Sequence, residues 1–214
     1  MLYKKIAIID YGMGNIGSVK MALERLGVDA ITSSDLTELS CADAYILPGV
    51  GAFPQAILYL HKYGLFDFLN EQVIHKKKPI LGICLGMQLM ANESLEQGRT
   101  QGLGWIKGQV IPIDPIDKHH VPHVGWNNLL IGRNDSLFNK IDYNAHFFFD
   151  HSYKFIVNNE KHILGYCKHG QNIVSVLRKG HIFATQFHPE KSQRNGLKMM
   201  RNYLNYIDKH YQYN

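Results

Sequence analysis

Lys78-Pro79-Ile80-Leu81-Gly82-Ile83-Cys84-Leu85-Gly86-Met87-Gln88-Leu89-Met90 is the stretch from which the fold can be read. A short apolar run, Ile80–Ile83, enters a Gly-x-Cys-x-Gly turn and leaves it as a helix-like segment, Leu85–Ala91. Glycines two positions before and after Cys84 let the chain reverse sharply from strand to helix. That pattern predicts an exposed, strained turn carrying a thiol, a nucleophile elbow with sulfur in place of oxygen. A helix N-terminus directly behind the sulfur favours the thiolate. The competing reading is a buried structural cysteine. The glycine pair and the switch from strand to helix favour the reactive one.

A thiol nucleophile needs a base. His181-Ile182-Phe183-Ala184-Thr185-Gln186-Phe187 reads as a buried strand and runs straight into His188-Pro189-Glu190-Lys191-Ser192. His188 at the strand end can take the thiol proton and return it to a leaving amine. Glu190, two residues on, can fold back to fix the imidazole tautomer and support its charged form. The chain holds 12 histidines, so a histidine alone would carry little weight. The strand followed by His-Pro-Glu is the informative feature.

Around these two segments the pattern alternates. Ile6–Ile9 reads as a strand, Ile16–Leu26 as an amphipathic helix ending at Gly27, and Ala44–Leu47 as a strand. Pro54–Tyr63 and Phe66–His75 read as helices, and Gly196–Asp208 as a closing helix. Alternating βα units imply an α/β fold with a mostly parallel central sheet flanked by helices. From about Leu103 the pieces become short and strand-like: Gly108–Ile113, Ala145–Phe149, Phe155–Ile156, Ile173–Leu177 and His181–Phe187. These predict antiparallel additions at one edge. No repeat or linker interrupts residues 1–214, so a single domain is expected.

Composition excludes several classes. Cys41, Cys84 and Cys167 are three cysteines without a Cys-x-x-Cys, which indicates neither a disulfide framework nor a zinc knuckle. Met1-Leu2-Tyr3-Lys4-Lys5 does not read as a signal peptide, and no apolar run approaches ~18 residues, so a cytoplasmic chain without a membrane span is expected. The formal charge of +5 is scattered. Its one run, Lys76-Lys77-Lys78, reads as a solvated loop, and no aromatic-interleaved basic stripe suggests nucleic acid. His119-His120-x-x-His123 has metal-like spacing, but proline and the lack of nearby acids favour a surface loop, so no metal is expected.

One motif points elsewhere. Gly12-Met13-Gly14-Asn15-Ile16-Gly17 is a literal G-x-G-x-x-G after a strand and before a helix, with Asp29 and Asp35 downstream, the context of a dinucleotide-binding loop. An oxidoreductase reading leaves the Cys84 turn, Pro48-Gly49-Val50-Gly51 and His-Pro-Glu without a role, so it is set below the thiol reading.

Gly82-Ile83-Cys84-Leu85-Gly86-Met87-Gln88 with the distant His188-Pro189-Glu190 resembles the class I (triad) glutamine amidotransferases. With Pro48-Gly49-Val50-Gly51-Ala52-Phe53, Val121-Pro122-His123-Val124-Gly125-Trp126-Asn127 and His151-Ser152-Tyr153, the chain is similar to the glutaminase subunits of imidazole glycerol phosphate synthases, from Ile8 to about Tyr203. In that family Asp10-Tyr11-Gly12-x-Gly14-Asn15 is itself typical of its position. The resemblance implies a flavodoxin-like fold, glutamine as substrate and no cofactor. It implies a Cys84, His188, Glu190 triad. By elbow geometry the amide of Leu85 is one oxyanion donor. The glycine-rich loop Gly49-Val50-Gly51 reads equally as a plain βα turn, and the resemblance favours the second oxyanion donor there. Gln88, one helical turn beyond Cys84, lies on the same side of the helix; the resemblance assigns it to glutamine binding together with His151, Ser152 and Tyr153. Glu96 is a weaker candidate for the substrate ammonium.

Glutamine hydrolysis alone wastes ammonia, so the resemblance implies a partner: a (β/α)8-barrel cyclase subunit forming a heterodimer. Asn15, Pro122, Trp126 and Asn127 are the implied interface residues, Trp126 as an anchor if exposed. Phe147-Phe148-Phe149-Asp150 and the indole in Gly102-Leu103-Gly104-Trp105 depart from the family pattern. They raise two further readings: a paralogue supplying ammonia for sugar modification in surface-polysaccharide synthesis, and an inactive relative on the same fold. The intact Cys84, His188 and Glu190 oppose the last.

Overall fold

A computed structural model describes residues 4–116 and 120–211; His119 lies outside them. The chain forms β1 (Ile6–Ile9), α1 (Ile16–Arg25), β2 (Ile31–Ser33), α2 (Leu36–Ser40), β3 (Ala44–Gly49), α3 (Phe53–Lys62) and α4 (Leu65–Leu69). A π-helical turn, Asn70–His75, leads to β4 (Ile80–Cys84) and the short α5 (Leu85–Gln88). Then follow β5 (Glu93–Ser94), β6 (Thr100–Gln101), β7 (Gly108–Pro112), β8 (His123–Asn128), β9 (Leu130–Ile131), β10 (His146–His151) and β11 (Tyr153–Val157). The chain closes with β12 (Ile163–His169), β13 (Gln171–Lys179), β14 (Ile182–Thr185) and α6 (Gln193–His210).

The main sheet runs β2-β1-β3-β4-β14-β13-β12-β9. Its first five strands pair in parallel, the order of a flavodoxin-like doubly wound sheet. β13, β12 and β9 then add in antiparallel fashion at one edge. The parallel strands are buried on both faces, which is why they read as unbroken apolar runs rather than alternating ones. In β1, Ile6 and Ile8 enter one core with Val19 and Leu23 of α1 and Met199 and Tyr203 of α6. Ala7 and Ile9 enter the other, with Phe53 and Leu60 of α3 and Leu69 of α4.

The later strand-like pieces do not all join this edge. β11, β7, β5 and β6 form a separate four-stranded sheet, and β10 pairs with β8 in a two-stranded ribbon. The segment Leu85–Ala91 is shorter as a helix than its pattern predicts, ending at Gln88. Phe66–His75 divides into α4 and the π turn, whose Asn70 accepts the Trp105 indole N–H at 2.7 Å. The unexpected indole of Trp105 is therefore a buried, satisfied core group. Lys78 is not a freely solvated end of its basic run: its Nζ donates to the carbonyls of Ser40 and Ala42 at 2.9 and 2.7 Å, tying the end of α2 to the start of β4.

Candidate active site

β4 and β14 lie side by side and parallel, with Ile83 opposite Thr185, so the residues just past their C-terminal ends meet. Cys84 sits at the end of β4 and His188 three residues beyond β14. Cys84 takes φ 54°, ψ −109°, a region that side-chain-bearing residues rarely occupy. The strain is thus carried by the nucleophile itself and not by its flanking glycines. Those glycines allow close approach. A Cβ on Gly86 would lie 1.9 Å from the Leu47 carbonyl oxygen, and one on Gly82 would meet the Gly86 carbonyl at 2.7 Å. β3, β4 and α5 therefore press together backbone to backbone beneath the sulfur.

The elbow is strained as expected, yet it is not exposed: Cys84 retains only 6% of its accessible surface. The reason is the strand end above it. The Cys84 sulfur lies 3.7 Å from the Asp150 carbonyl oxygen, so the end of β10 roofs the turn. The sulfur also accepts from Nε2 of Gln186 at 3.7 Å.

His188 donates from Nδ1 to Glu190 Oε1 at 2.8 Å, leaving Nε2 for its hydrogen bond with Cys84. Burial opposes the imidazolium, but the Cys84 sulfur and then the Glu190 carboxylate outweigh it and lift the His188 pKa to about 10. Glu190 itself is buried with Oε2 unpartnered, so its carboxylate faces one donor, the imidazole N–H. Ser192 locks this corner: its hydroxyl donates to the His188 carbonyl at 2.6 Å and accepts from the Phe148 N–H at 2.9 Å.

A cavity of about 290 Å³ opens beside Cys84 and His188. Val50, Gly51, Leu85, Gln88, Glu96, His151, Ser152 and Tyr153 line it, as does Pro122. Gly49 does not. It ends β3 opposite Cys84, and a side chain there would meet the Tyr11 hydroxyl at 2.7 Å and Leu85 Cβ at 2.8 Å, so its role is packing behind the wall. Tyr11 in turn donates to the Pro48 carbonyl at 3.0 Å; burial, and then Cys84, hold its hydroxyl well above the ordinary phenol range and keep it protonated. The G-x-G-x-x-G segment serves the same loop. A Cβ on Gly14 would touch Pro48 at 3.0 Å, and one on Gly51 would touch Met13 at 2.8 Å. Of the motif's own glycines Gly14 is explained by its contact with Pro48, Gly12 takes a left-handed φ of 85° beside Tyr59, and Gly17 faces open space.

Gln88 is buried, and its amide nitrogen donates to the Tyr153 carbonyl at 3.2 Å and to Gln186 Oε1 at 3.0 Å. Glu96 accepts from the Phe53 N–H at 2.8 Å through Oε2. Burial raises its pKa, and that hydrogen bond partly offsets the rise. His151 donates from Nδ1 to the Tyr153 carbonyl at 2.8 Å, and its Nε2 lies 3.0 Å from Nδ1 of His123. Burial lowers the His151 pKa to about 4, so the ring is neutral at pH 7.

The site holds three side chains that the sequence alone does not single out for it: Gln186, Tyr11 and His123. In the sequence Gln186 reads only as the end of a buried strand; a polar residue at the apolar strand's C-terminal end, two before His188, is the available signal. The expected interface residues divide. Pro122 lines the cavity. Trp126 and Asn127 stand on the ribbon; Trp126 is 48% exposed and edges against Phe148. Asn15 is the residue before α1, with no capping hydrogen bond from its side chain.

A family model for class I glutamine amidotransferases matches residues 7–205. An imidazole glycerol phosphate synthase subunit HisH 2 of Methanococcus maripaludis is 42% identical over 199 residues, covering 93% of this chain and 98% of that protein. A subunit HisH of Caldanaerobacter subterraneus is 45% identical, covering 92% and 96%. Among solved structures, a glutamine amidotransferase superposes with a TM-score of 0.75 at 20% identity, covering 95% of this chain and 98% of that one. A glutamine amidotransferase of Thermotoga maritima superposes with a TM-score of 0.64 at 16% identity, covering 99% and 86%. The structural likenesses bear on the fold alone.

Proposed function

The chain belongs to the class I glutamine amidotransferases, and from that premise we propose how its residues carry the glutaminase reaction of an imidazole glycerol phosphate synthase. The observation that carries the reading is the line Cys84–His188–Glu190, buried and hydrogen-bonded at the carboxyl ends of two neighbouring parallel strands, with the nucleophile in strained backbone.

Glutamine occupies the cavity with its side-chain carbonyl carbon over the Cys84 sulfur. The sulfur's electron pair attacks that carbon and the C=O pair moves onto oxygen. The amide of Leu85 and the turn at Val50–Gly51 are the donors for this oxyanion, each such donor contributing on the order of 3 kcal/mol to lowering the barrier. His188, charged through its contacts with sulfur and Glu190, passes its proton to the departing nitrogen as the C–N bond breaks, releasing ammonia and leaving a thioester. The now neutral imidazole takes a proton from water, hydroxide adds to the thioester, and glutamate leaves as the thiol is restored.

Gln88 and Tyr153 shape the wall that receives the carboxamide. The Glu96 carboxylate, with one oxygen fixed by Phe53, takes the substrate ammonium; its raised pKa falls back when that cation arrives. Residues 1–214 act as one cytoplasmic glutaminase domain. Its exposed ribbon at Trp126 and Asn127, with Asn15 and the mouth at Pro122, receives a (β/α)8-barrel cyclase subunit, to which ammonia passes. Among the described residues no helix is long and apolar enough to cross a membrane.

The test is glutamate release from glutamine with and without the cyclase subunit of the same organism and its nucleotide ligand. Strong stimulation that disappears in Cys84→Ala is expected. Hydrolysis that survives Cys84→Ala removes the mechanism. Cys84-dependent hydrolysis without stimulation redirects the ammonia to a different acceptor enzyme, such as one modifying surface sugars.

A further inference from the structure

A directional chain of hydrogen bonds runs from the exposed ribbon into the cavity, and both of its ends fix the same direction. At the outer end, Asn127 Oδ1 accepts from the Asn128 N–H at 2.8 Å and Nδ2 donates to the Lys168 carbonyl at 3.0 Å, which settles the amide's orientation. Its Nδ2 also lies 3.1 Å from His123 Nε2, which must then accept. The proton of neutral His123 therefore sits on Nδ1 and points at His151 Nε2, 3.0 Å away. At the inner end the Tyr153 carbonyl can only accept, so His151 carries its own proton on Nδ1 and its Nε2 is a lone pair. The two assignments agree, with both imidazoles neutral.

The Tyr153 carbonyl is where this chain meets the substrate wall, because it accepts from Gln88 as well. Gln88 continues through Gln186 to the Cys84 sulfur. The hydrogen bond from His123 to the cavity lining runs to His151. The His123 ring is stacked between Phe149 and His169, at centroid distances of 4.7 and 4.1 Å, so it cannot rotate freely to another donor arrangement.

We propose that His123 is a positioning residue for glutamine: by holding His151 in its Nδ1–H tautomer it fixes the Tyr153 carbonyl, and through it Gln88, in the orientation that binds substrate. The proposal rests on the glutaminase reading above. Without the His123 donor, His151 Nε2 loses its partner inside a buried pocket. The ring can then flip or shift its proton, and the Tyr153 carbonyl loses the donor opposite Gln88.

Two substitutions separate hydrogen bonding from packing. His123→Phe keeps an aromatic ring in the stack and removes both hydrogen bonds. His123→Asn keeps a donor near the Nδ1 position and removes the stack. In the full chain with its cyclase subunit, His123→Phe should raise the KM for glutamine about tenfold, the effect of one lost buried hydrogen bond, with kcat changed far less. Alkylation of Cys84 by iodoacetamide, which does not use the glutamine wall, should keep its rate. His123→Asn should restore KM to within about threefold of the native value. A native KM in His123→Phe together with a loss in His123→Asn would assign His123 to packing and overturn the proposal. So would an equal loss of kcat, glutamine affinity and melting temperature in both variants. A long-range 1H–15N spectrum of the native chain supplies a check without mutation: an Nε2–H tautomer at His123 or His151 refutes the chain's direction. If hydrolysis persists in Cys84→Ala, the glutaminase reading fails instead; if it depends on Cys84 while His123→Phe behaves as native, only this inference does.

Discussion

His151 makes stability depend on pH in a way that can be calculated. Its pKa is lowered from 6.5 to about 4, first by burial and then by its neighbours His169 and His188, against the opposing pull of the Tyr153 carbonyl and Asp150. Between these values the unfolded chain binds a proton that the folded chain refuses. The contribution is therefore present in full above pH ~6.5, falls as pH drops, and reaches its limit below about pH 4. The limiting loss is about 3 kcal/mol, and at pH 5 it is about 2 kcal/mol. Urea unfolding at pH 7 and pH 5 measures it, with His151→Asn as the comparison, since asparagine keeps a donor for the Tyr153 carbonyl but cannot titrate. Other titrating groups act in both proteins and cancel in the difference. With a slope of roughly 3 kcal/mol per M, the native midpoint should fall about 0.7 M further than that of His151→Asn on going to pH 5. Equal falls in the two proteins would refute the claim that a neutral, hydrogen-bonded His151 is built into the fold.

Three other outcomes follow from the site and its scaffold. Gly86→Ala would force a Cβ to within 1.9 Å of the Leu47 carbonyl, and the backbone must move; a loss of about 3 kcal/mol or more in unfolding free energy and of iodoacetamide-reactive geometry at Cys84 is expected. Lys78→Met removes the donor to the Ser40 and Ala42 carbonyls, and a cost of about 1–3 kcal/mol should show in chemical unfolding with glutamine hydrolysis unaltered. Trp126→Ala should change the melting temperature of the isolated chain little, because the ring is half exposed, yet weaken cyclase binding by about 2 kcal/mol or more in calorimetry.

What can be read from the sequence is what is local in the chain. The elbow shows because strand, turn and helix follow one another within a dozen residues, and His188 and Glu190 show because they lie two residues apart. In the sequence the glycines read as a source of dihedral freedom, whereas Gly82 and Gly86 serve close backbone approach. Spacing cannot separate the two causes, since both demand the same residue. The thiol's burial is out of reach because the cover comes from Asp150, 66 residues away. β8 escapes notice because His123–Asn128 is a half-exposed ribbon strand with no apolar alternation. β12 escapes because Gly165 and an irregular register break its pattern. The link of His123 to the wall is invisible for a similar reason: His151 ends β10, 28 residues away, and only pairing of the ribbon brings the two rings together.

The position of β14 governs when the enzyme comes into being. β14 inserts between β4 and β13, and it alone delivers Gln186 and His188 to the sulfur. A growing chain that has emerged only as far as β13 holds its cysteine at the open border of an unfinished sheet, without base or acid. Glutamine is safe from it until β14 has been made and paired. Catalytic competence then arrives in one step, with the closing of the last gap in the sheet, and turnover becomes a reporter of completed folding.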